Sequence, residues 1–178
     1  MTRACKSIPM SRAKIRSFAK MLRKAFEIPM DKKFPTIEFL EFGLDALGFH
    51  YDICDKRELE NCYAKTIPEE KVVKIREDVY IGATQGKPRD LFTILHEVGH
   101  VIFHNTSTVE FARNEEKIKI YEDPEWQAST FAAELLVPAD CIAGMSEEEI
   151  VNVYGCSYEV AFIQMKQNKK IVTLESNY

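Results

Sequence analysis

The stretch from Asp90 to His104, Asp-Leu-Phe-Thr-Ile-Leu-His-Glu-Val-Gly-His-Val-Ile-Phe-His, constrains this chain more than any other. It contains the pattern H-E-x-x-H as His96, Glu97 and His100. On an α-helix, residues four apart stand one turn above each other on the same face, so the two imidazoles can converge on one ion. Zinc accepts neutral imidazole nitrogens at about 2.0–2.1 Å, and a catalytic site uses three protein ligands and leaves the fourth position to water. Glu97, next to the first histidine, is placed to take a proton from that water. On a helical wheel, Leu91, Ile94, Leu95, Val98, Val101 and Ile102 form a broad apolar stripe, with His96 and His100 opposite. The histidine side also carries Phe92, Thr93, Gly99 and Phe103 but no Lys or Arg, which fits a cleft floor better than a solvated face.

A third ligand has to come from another segment. Asp123-Pro124 is an N-cap followed by proline at the first helical position, and the helix it opens, Glu125 to Val137, ends before Pro138. Glu125 and Glu134 are the two carboxylates best placed on it. Ala128, Phe131, Ala132, Leu135 and Leu136 define its buried stripe; Glu125 lies at the margin and Glu134 about half a turn away, which favours Glu125. The competing reading of Glu125 is an acid favoured in the first turn by the helix dipole. Small Ala128 and Ala132 would let this helix approach the H-E-x-x-H helix closely, and Ser129 is expected to hydrogen-bond the Glu125 carboxylate. His104 continues the four-residue series but lies two turns from His96, too far to share its ion. The third histidine of the metzincin pattern would fall at Thr106. His104 is expected to end the helix or to reach a nearby partner group, and His50 to be structural.

Along the rest of the chain, Ser11 caps a first amphipathic helix that stops near Ile28, before Pro29, and Pro35-Thr36 opens a second that runs to Leu47 with Gly48 as its stop. Phe49 to Ile53 reads as a strand. Cys62 to Ile67, Val72 to Arg76 and Val79 to Ala83 read as three β-like pieces of a small antiparallel sheet, whose edge could hold an extended peptide. Asp90 is the expected cap of the H-E-x-x-H helix, and Asn105 to Glu122 reads as a loop with one short helix.

Charge divides the chain unevenly. Residues 1–33 carry +8 and the remainder −12. The basic segment reads as a solvated helix face, and the acidic remainder argues against a broad DNA-binding surface. The five cysteines contain no C-x-x-C pair, so free thiols are expected. No apolar run approaches the length of a bilayer span and the N-terminus lacks the apolar core of a secretory signal, so the expectation is a cytoplasmic protein without membrane contact.

Two segments together, Arg89-Asp-Leu-Phe-Thr-Ile-Leu-His-Glu-Val-Gly-His-Val-Ile-Phe-His104 and Glu125-Trp-Gln-Ala-Ser-Thr-Phe-Ala-Ala-Glu-Leu-Leu-Val-Pro138, resemble the ImmA/IrrE family of zinc metallopeptidases over about residues 36–165. The second block separates this family from other H-E-x-x-H proteins. The resemblance implies an α+β, minimal zincin-like fold with a metallopeptidase core (34–145) and a C-terminal helix-turn-helix-like pair (146–178); the basic N-terminal helical arm (1–33) lies outside the likeness. It implies Zn²⁺ on His96, His100 and Glu125, with Glu97 as general base. Position 129, commonly Asn in the family, is Ser129 here. Tyr80, Arg89, His104 and Tyr121 are candidates for the second donor to the oxyanion. The implied role is regulated proteolysis in the bacterial cytoplasm, often from prophages, of a helix-turn-helix repressor. The alternative is a non-proteolytic regulator that binds a transcription factor or DNA over a vestigial metal site. Around Gly155-Cys156-Ser157 the second helix begins Tyr158-Glu-Val-Ala-Phe-Ile and its lysines come late, so packing on the core is expected rather than DNA reading.

Overall fold

The computed structural model describes residues 5–104, 109–111 and 118–175. Strand β1 (Cys5–Ser7) precedes helix α1 (Arg12–Ala25), whose cap is Ser11 accepting from the Lys14 amide at 3.2 Å. The second helical segment does not keep one pitch. An α turn α2 (Thr36–Glu38) runs into a π turn over Phe39–Gly43 and a 3₁₀ turn over Asp45–Leu47, and Gly48 ends it in the left-handed conformation at φ 75°. Phe39, Leu40 and Leu44 all lie inside.

Strands β2 (His50–Cys54), β3 (Ala64–Ile67) and β4 (Val72–Arg76) form a sheet in the order β2-β4-β3. It is mixed rather than antiparallel: β4 pairs in parallel with β2 and antiparallel with β3. The expected strand at Val79–Ala83 is helix α3 (Glu77–Thr84). Its β-branched content misleads, because the buried positions are Val79, Gly82 and Ala83, at helical spacing, and Glu77 and Asp78 stand in the first turn, where the helix dipole favours acids. Of the expected loop, Val109–Phe111 forms strand β5, paired antiparallel with β1, and Ile120–Glu122 forms a 3₁₀ turn. Residues 105–108 and 112–117 of that stretch, including Thr106, lie outside the described residues.

Helix α4 (Pro88–Phe103) is the central layer. One side, through Leu91, Ile94 and Val101, meets the sheet, α3 and the mixed-pitch segment, while Leu95, Val98 and Phe103 meet α1 and helix α5 (Pro124–Leu136). Lys87, not Asp90, is its N-cap, followed by Pro88. The Asp90 carboxylate instead packs on Gly82, where any Cβ would overlap it. A Cβ on Gly99 would fall 2.8 Å from the Ala128 Cα, so α4 and α5 touch backbone to backbone there. Gly99→Val is therefore expected to cost about 1–3 kcal/mol through overpacking, read as a lower urea midpoint at unchanged slope.

From Thr130 to its end helix α5 is covered all round. Glu134, expected away from its buried stripe, has a side chain with no exposure, because α1 lies over it and supplies Arg12 at 3.5 Å and Arg16 at 3.0 Å. The basic segment is thus not simply a solvated face. Lys20 pairs with Asp140 at 2.5 Å, and Arg23 is fully buried. Arg23 donates to the carbonyls of Leu135, Leu136, Pro29 and Lys32 at 2.6–3.1 Å, capping the last turn of α5. Burial pushes its pKa down to about 10. Helices α6 (Glu147–Tyr154) and α7 (Tyr158–Glu175) complete the chain around Gly155 at φ 65°. Ile150, Tyr154, Val160 and Ala161 join the main core, while Gln164 and Asn168 donate to the Val137 and Ala139 carbonyls at 2.6 and 2.8 Å. Among the described residues no helix is long and apolar enough to cross a membrane.

Candidate metal centre

His96 and His100 project from α4 toward the first turn of α5, where Glu125 stands beside its own cap, Asp123, which accepts from the Glu125 amide at 3.0 Å. The two imidazole Nε2 atoms lie 3.0 Å apart, and the two Glu125 carboxylate oxygens reach one each, Oε2 to His96 Nε2 at 3.2 Å and Oε1 to His100 Nε2 at 3.4 Å. A tetrahedral ion with ligands at about 2.0–2.1 Å has ligand-to-ligand edges of about 3.3–3.4 Å, so the donor groups stand at the spacing one such ion requires. The cluster can hold a metal ion.

The hydrogen bonds behind the imidazoles aim them. Gln127 is fully buried, and its amide nitrogen donates to the Ile8 and Tyr121 carbonyls at 2.9 and 2.8 Å, so its oxygen must face His104 Nε2, 3.0 Å away. His104 Nε2 is therefore the donor, and in a neutral ring Nδ1 is left as acceptor. That atom lies 2.9 Å from His100 Nδ1, which then carries its own proton and turns the Nε2 lone pair toward His96 and Glu125. Burial pushes the His104 pKa down to about 4 against the opposing bond from Gln127, consistent with a neutral ring. Burial also pulls His100 downward, but the Glu125 bond and the nearby carboxylates outweigh it and leave the group above its ordinary value. The bonds to His100 and His96 hold Glu125 well below the usual carboxylate range. Two imidazole lone pairs and a carboxylate thus converge where a positive charge would stabilise all three.

Ser129 is expected from the sequence to hydrogen-bond Glu125, but its hydroxyl lies 3.1 Å from His96 Nδ1. Its place one turn after Glu125 brings it behind the first histidine instead. Gln127→Leu, which removes the acceptor that sets His104, is expected to weaken metal binding by about 10–100-fold, measured by competition with a chromogenic chelator. Gln127 and Gly99 carry no sequence signal of their own. Their roles come from what α5 and the chain near Ile8 place against them.

Glu97 is buried, 8 % exposed, and points to β3. Its Oε2 accepts from the Thr66 amide and from the Thr66 hydroxyl, each at 2.7 Å. Strand β3 is the sheet edge, and the bond from the Arg76 amide to the Tyr63 carbonyl (3.1 Å) sets its alternation. Tyr63, Lys65 and Ile67 turn their backbone groups to β4, while Ala64 and Thr66 turn theirs outward. A cavity of about 650 Å³ lies between this edge and the imidazoles, lined by Tyr63, Ala64, Thr66, His96, Glu97 and Glu125 among others.

Of the four residues considered as second donors, His104 alone lines that cavity. Tyr80 lies on α3 and donates to Glu41 at 2.7 Å, the bond that, with burial, pushes its pKa up to about 12. Tyr121 is 39 % exposed and sits against Lys119. The Arg89 guanidinium stacks 3.9 Å over the Tyr63 ring, at the edge of the cavity. His50 is exposed on β2, apart from the cluster.

A helix carrying H-E-x-x-H, a carboxylate from a second helix and a sheet edge beside them define a metallopeptidase-type site. The model of the peptidase M78 family, described as the IrrE N-terminal-like domain, matches residues 50–165, and the chain belongs to that family. No curated protein and no solved structure gives a significant match. Peptidases of this family are metal-dependent, and the His96, His100 and Glu125 cluster is where such an ion fits.

Proposed function

We propose that the protein is a zinc endopeptidase of the cytoplasm that cleaves a helix-turn-helix transcriptional repressor, in the setting of a prophage or other mobile element. The observation that carries the peptidase reading is the convergence of the His96 and His100 imidazoles and the Glu125 carboxylate, at contacts of 3.0–3.4 Å, facing the edge of β3. The donor set, two imidazoles and one carboxylate, is a zinc set, and a zinc ion held there supplies an acidified water and polarises a carbonyl. The chain's own residues do the rest. The outward backbone groups of Ala64 and the outward Thr66 carbonyl pair with an extended peptide and lay it across the cleft, the Thr66 amide being committed to Glu97. Glu97, held through Oε2 by Thr66, uses its other oxygen to take the proton of the attacking water and to return it to the departing amine.

The alternative, a regulator that binds DNA or a transcription factor without cutting, draws on the basic segment and the C-terminal helices. Both have internal uses: Arg12, Arg16, Lys20 and Arg23 meet groups on or just beyond α5, and α7 packs on the core. The repressor itself enters by family resemblance. The test is incubation of zinc-loaded protein with the regulator encoded beside its gene, followed by mass spectrometry. Discrete fragments are expected, lost on chelation and restored by zinc. An intact regulator bound tightly by the zinc-loaded protein would favour the alternative.

A further inference from the structure

A second cavity, a groove of about 710 Å³, runs between α1, α4, α5 and α7 on the other side of His96 from the metal cluster. Its walls include Phe92, Trp126, Val160 and Ile163, and Ile163 is 37 % exposed although large and apolar. Two features join it to the metal cavity. Thr93 lines both, and the Ser129 hydroxyl that backs His96 at 3.1 Å is part of the groove wall. Arg89 lines the groove while its guanidinium stacks on Tyr63, a residue of the metal cavity.

The groove also has a charge. Arg12 lines it, lies 5.7 Å over the Trp126 ring, and has its buried Nη1 without a hydrogen-bond partner. Arg12 and Arg89 line the groove, and Glu159 is the carboxylate in its lining; behind the wall Arg12 shares Glu134 with Arg16. Two guanidinium groups against one carboxylate in the lining leave the groove positive, over an apolar floor.

We propose that this groove is the specificity site for the peptide substrate, and that it takes a segment in which a large aliphatic or aromatic side chain is followed by an acidic one. The inference rests on the peptidase reading. The peptide, held along β3 over the metal cluster, continues past Thr93; its apolar side chain lies on Phe92, Trp126 and Ile163, and its carboxylate meets Arg12 and Arg89. Basic segments are disfavoured by the same charges, so the groove selects among unfolded or mobile stretches that the open cleft alone would accept equally.

Trp126 is the chain's one tryptophan, so its emission reports occupancy of the groove directly and without turnover. The probes are N-acetyl-Leu-Asp amide and N-acetyl-Leu-Lys amide, titrated into the zinc-loaded full chain. The expected result is a saturable change in emission with the acidic probe binding about tenfold or more tightly than the basic one. Ile163→Asp should remove that binding, and Arg12→Gln should abolish the preference while leaving the thermal midpoint within a few degrees of wild type. Equal affinities, or an Ile163→Asp protein that binds as wild type does, overturn the proposal. Metal-dependent cleavage of mixed peptides with no acidic preference and a silent Trp126 also overturns it and leaves the peptidase reading standing. A responsive Trp126 with no cleavage of any peptide removes the peptidase and leaves the groove a site for such a segment.

Discussion

A Glu97→Gln protein is expected to keep its fold and its metal and to lose about 10²–10⁴ in turnover, the range a positioned general base supplies. The substitution is well matched to the site. The Thr66 amide and hydroxyl both need an acceptor at 2.7 Å, and the amide oxygen of glutamine provides one, so the contact between α4 and β3 survives. What disappears is the second carboxylate oxygen, replaced by an NH₂ group that donates and cannot accept a proton. The loss should fall in kcat, with KM close to wild type, because the Ala64 backbone groups and the Thr66 carbonyl still face a peptide. Metal content and thermal midpoint, measured on the same sample, should match wild type. Cleavage at the wild-type rate would remove Glu97 from the chemistry.

The largest effect on stability is expected at Arg23. Its guanidinium is wholly buried with no carboxylate among its hydrogen-bond partners, all of which are carbonyls, two of them from the last turn of α5. Arg23→Leu would leave the two buried carbonyls of Leu135 and Leu136 and the part-buried ones of Pro29 and Lys32 without their donor, and a loss of about 3–5 kcal/mol is expected, since each stranded buried group costs about 1–3 kcal/mol and lost packing adds to it. Arg23→Lys should recover little, because one ammonium cannot span carbonyls from two segments as the planar fork does. The end of α5 and the turn at Pro29 and Lys32 would loosen together. Denaturant unfolding of the metal-free protein measures the loss without the contribution of bound ion.

How far the fold can be read from residues alone follows from how local each signal is. The H-E-x-x-H helix and the Asp123-Pro124 start are written in consecutive residues, and the spacing that puts His96 and His100 on one face needs no knowledge of the rest of the chain. Periodicity points to Glu125 rather than Glu134 as the inward-facing carboxylate, and the structure reverses that siding while still placing Glu125 beside the imidazoles. Glu134 is the more buried of the two, but under α1 with two arginines, while Glu125 is largely exposed at the mouth of the cleft. A wheel reports how a helix is sided, not what covers its other side. The same limit hides Arg23, whose carbonyl partners come from residues 29, 32, 135 and 136. Helix α3 resembles a strand because Val79, Tyr80 and Ile81 favour one by composition, and its helical form depends on burying Val79 and Ala83 against their neighbours. The parallel pairing of β2 with β4 is a matter of chain path, which alternation of residue types does not encode. Thr66 and Gln127 belong to the site only because β3 and the segment near Ile8 close around it.

The central claim is that His96, His100 and Glu125 hold one divalent ion. Its most direct measurement is an anomalous difference map at the zinc absorption edge from crystals of the zinc-loaded protein. The account predicts one strong peak about 2.0–2.2 Å from His96 Nε2, His100 Nε2 and a Glu125 carboxylate oxygen. A peak bound by other residues, or none at this cluster in protein shown to contain zinc, would contradict it.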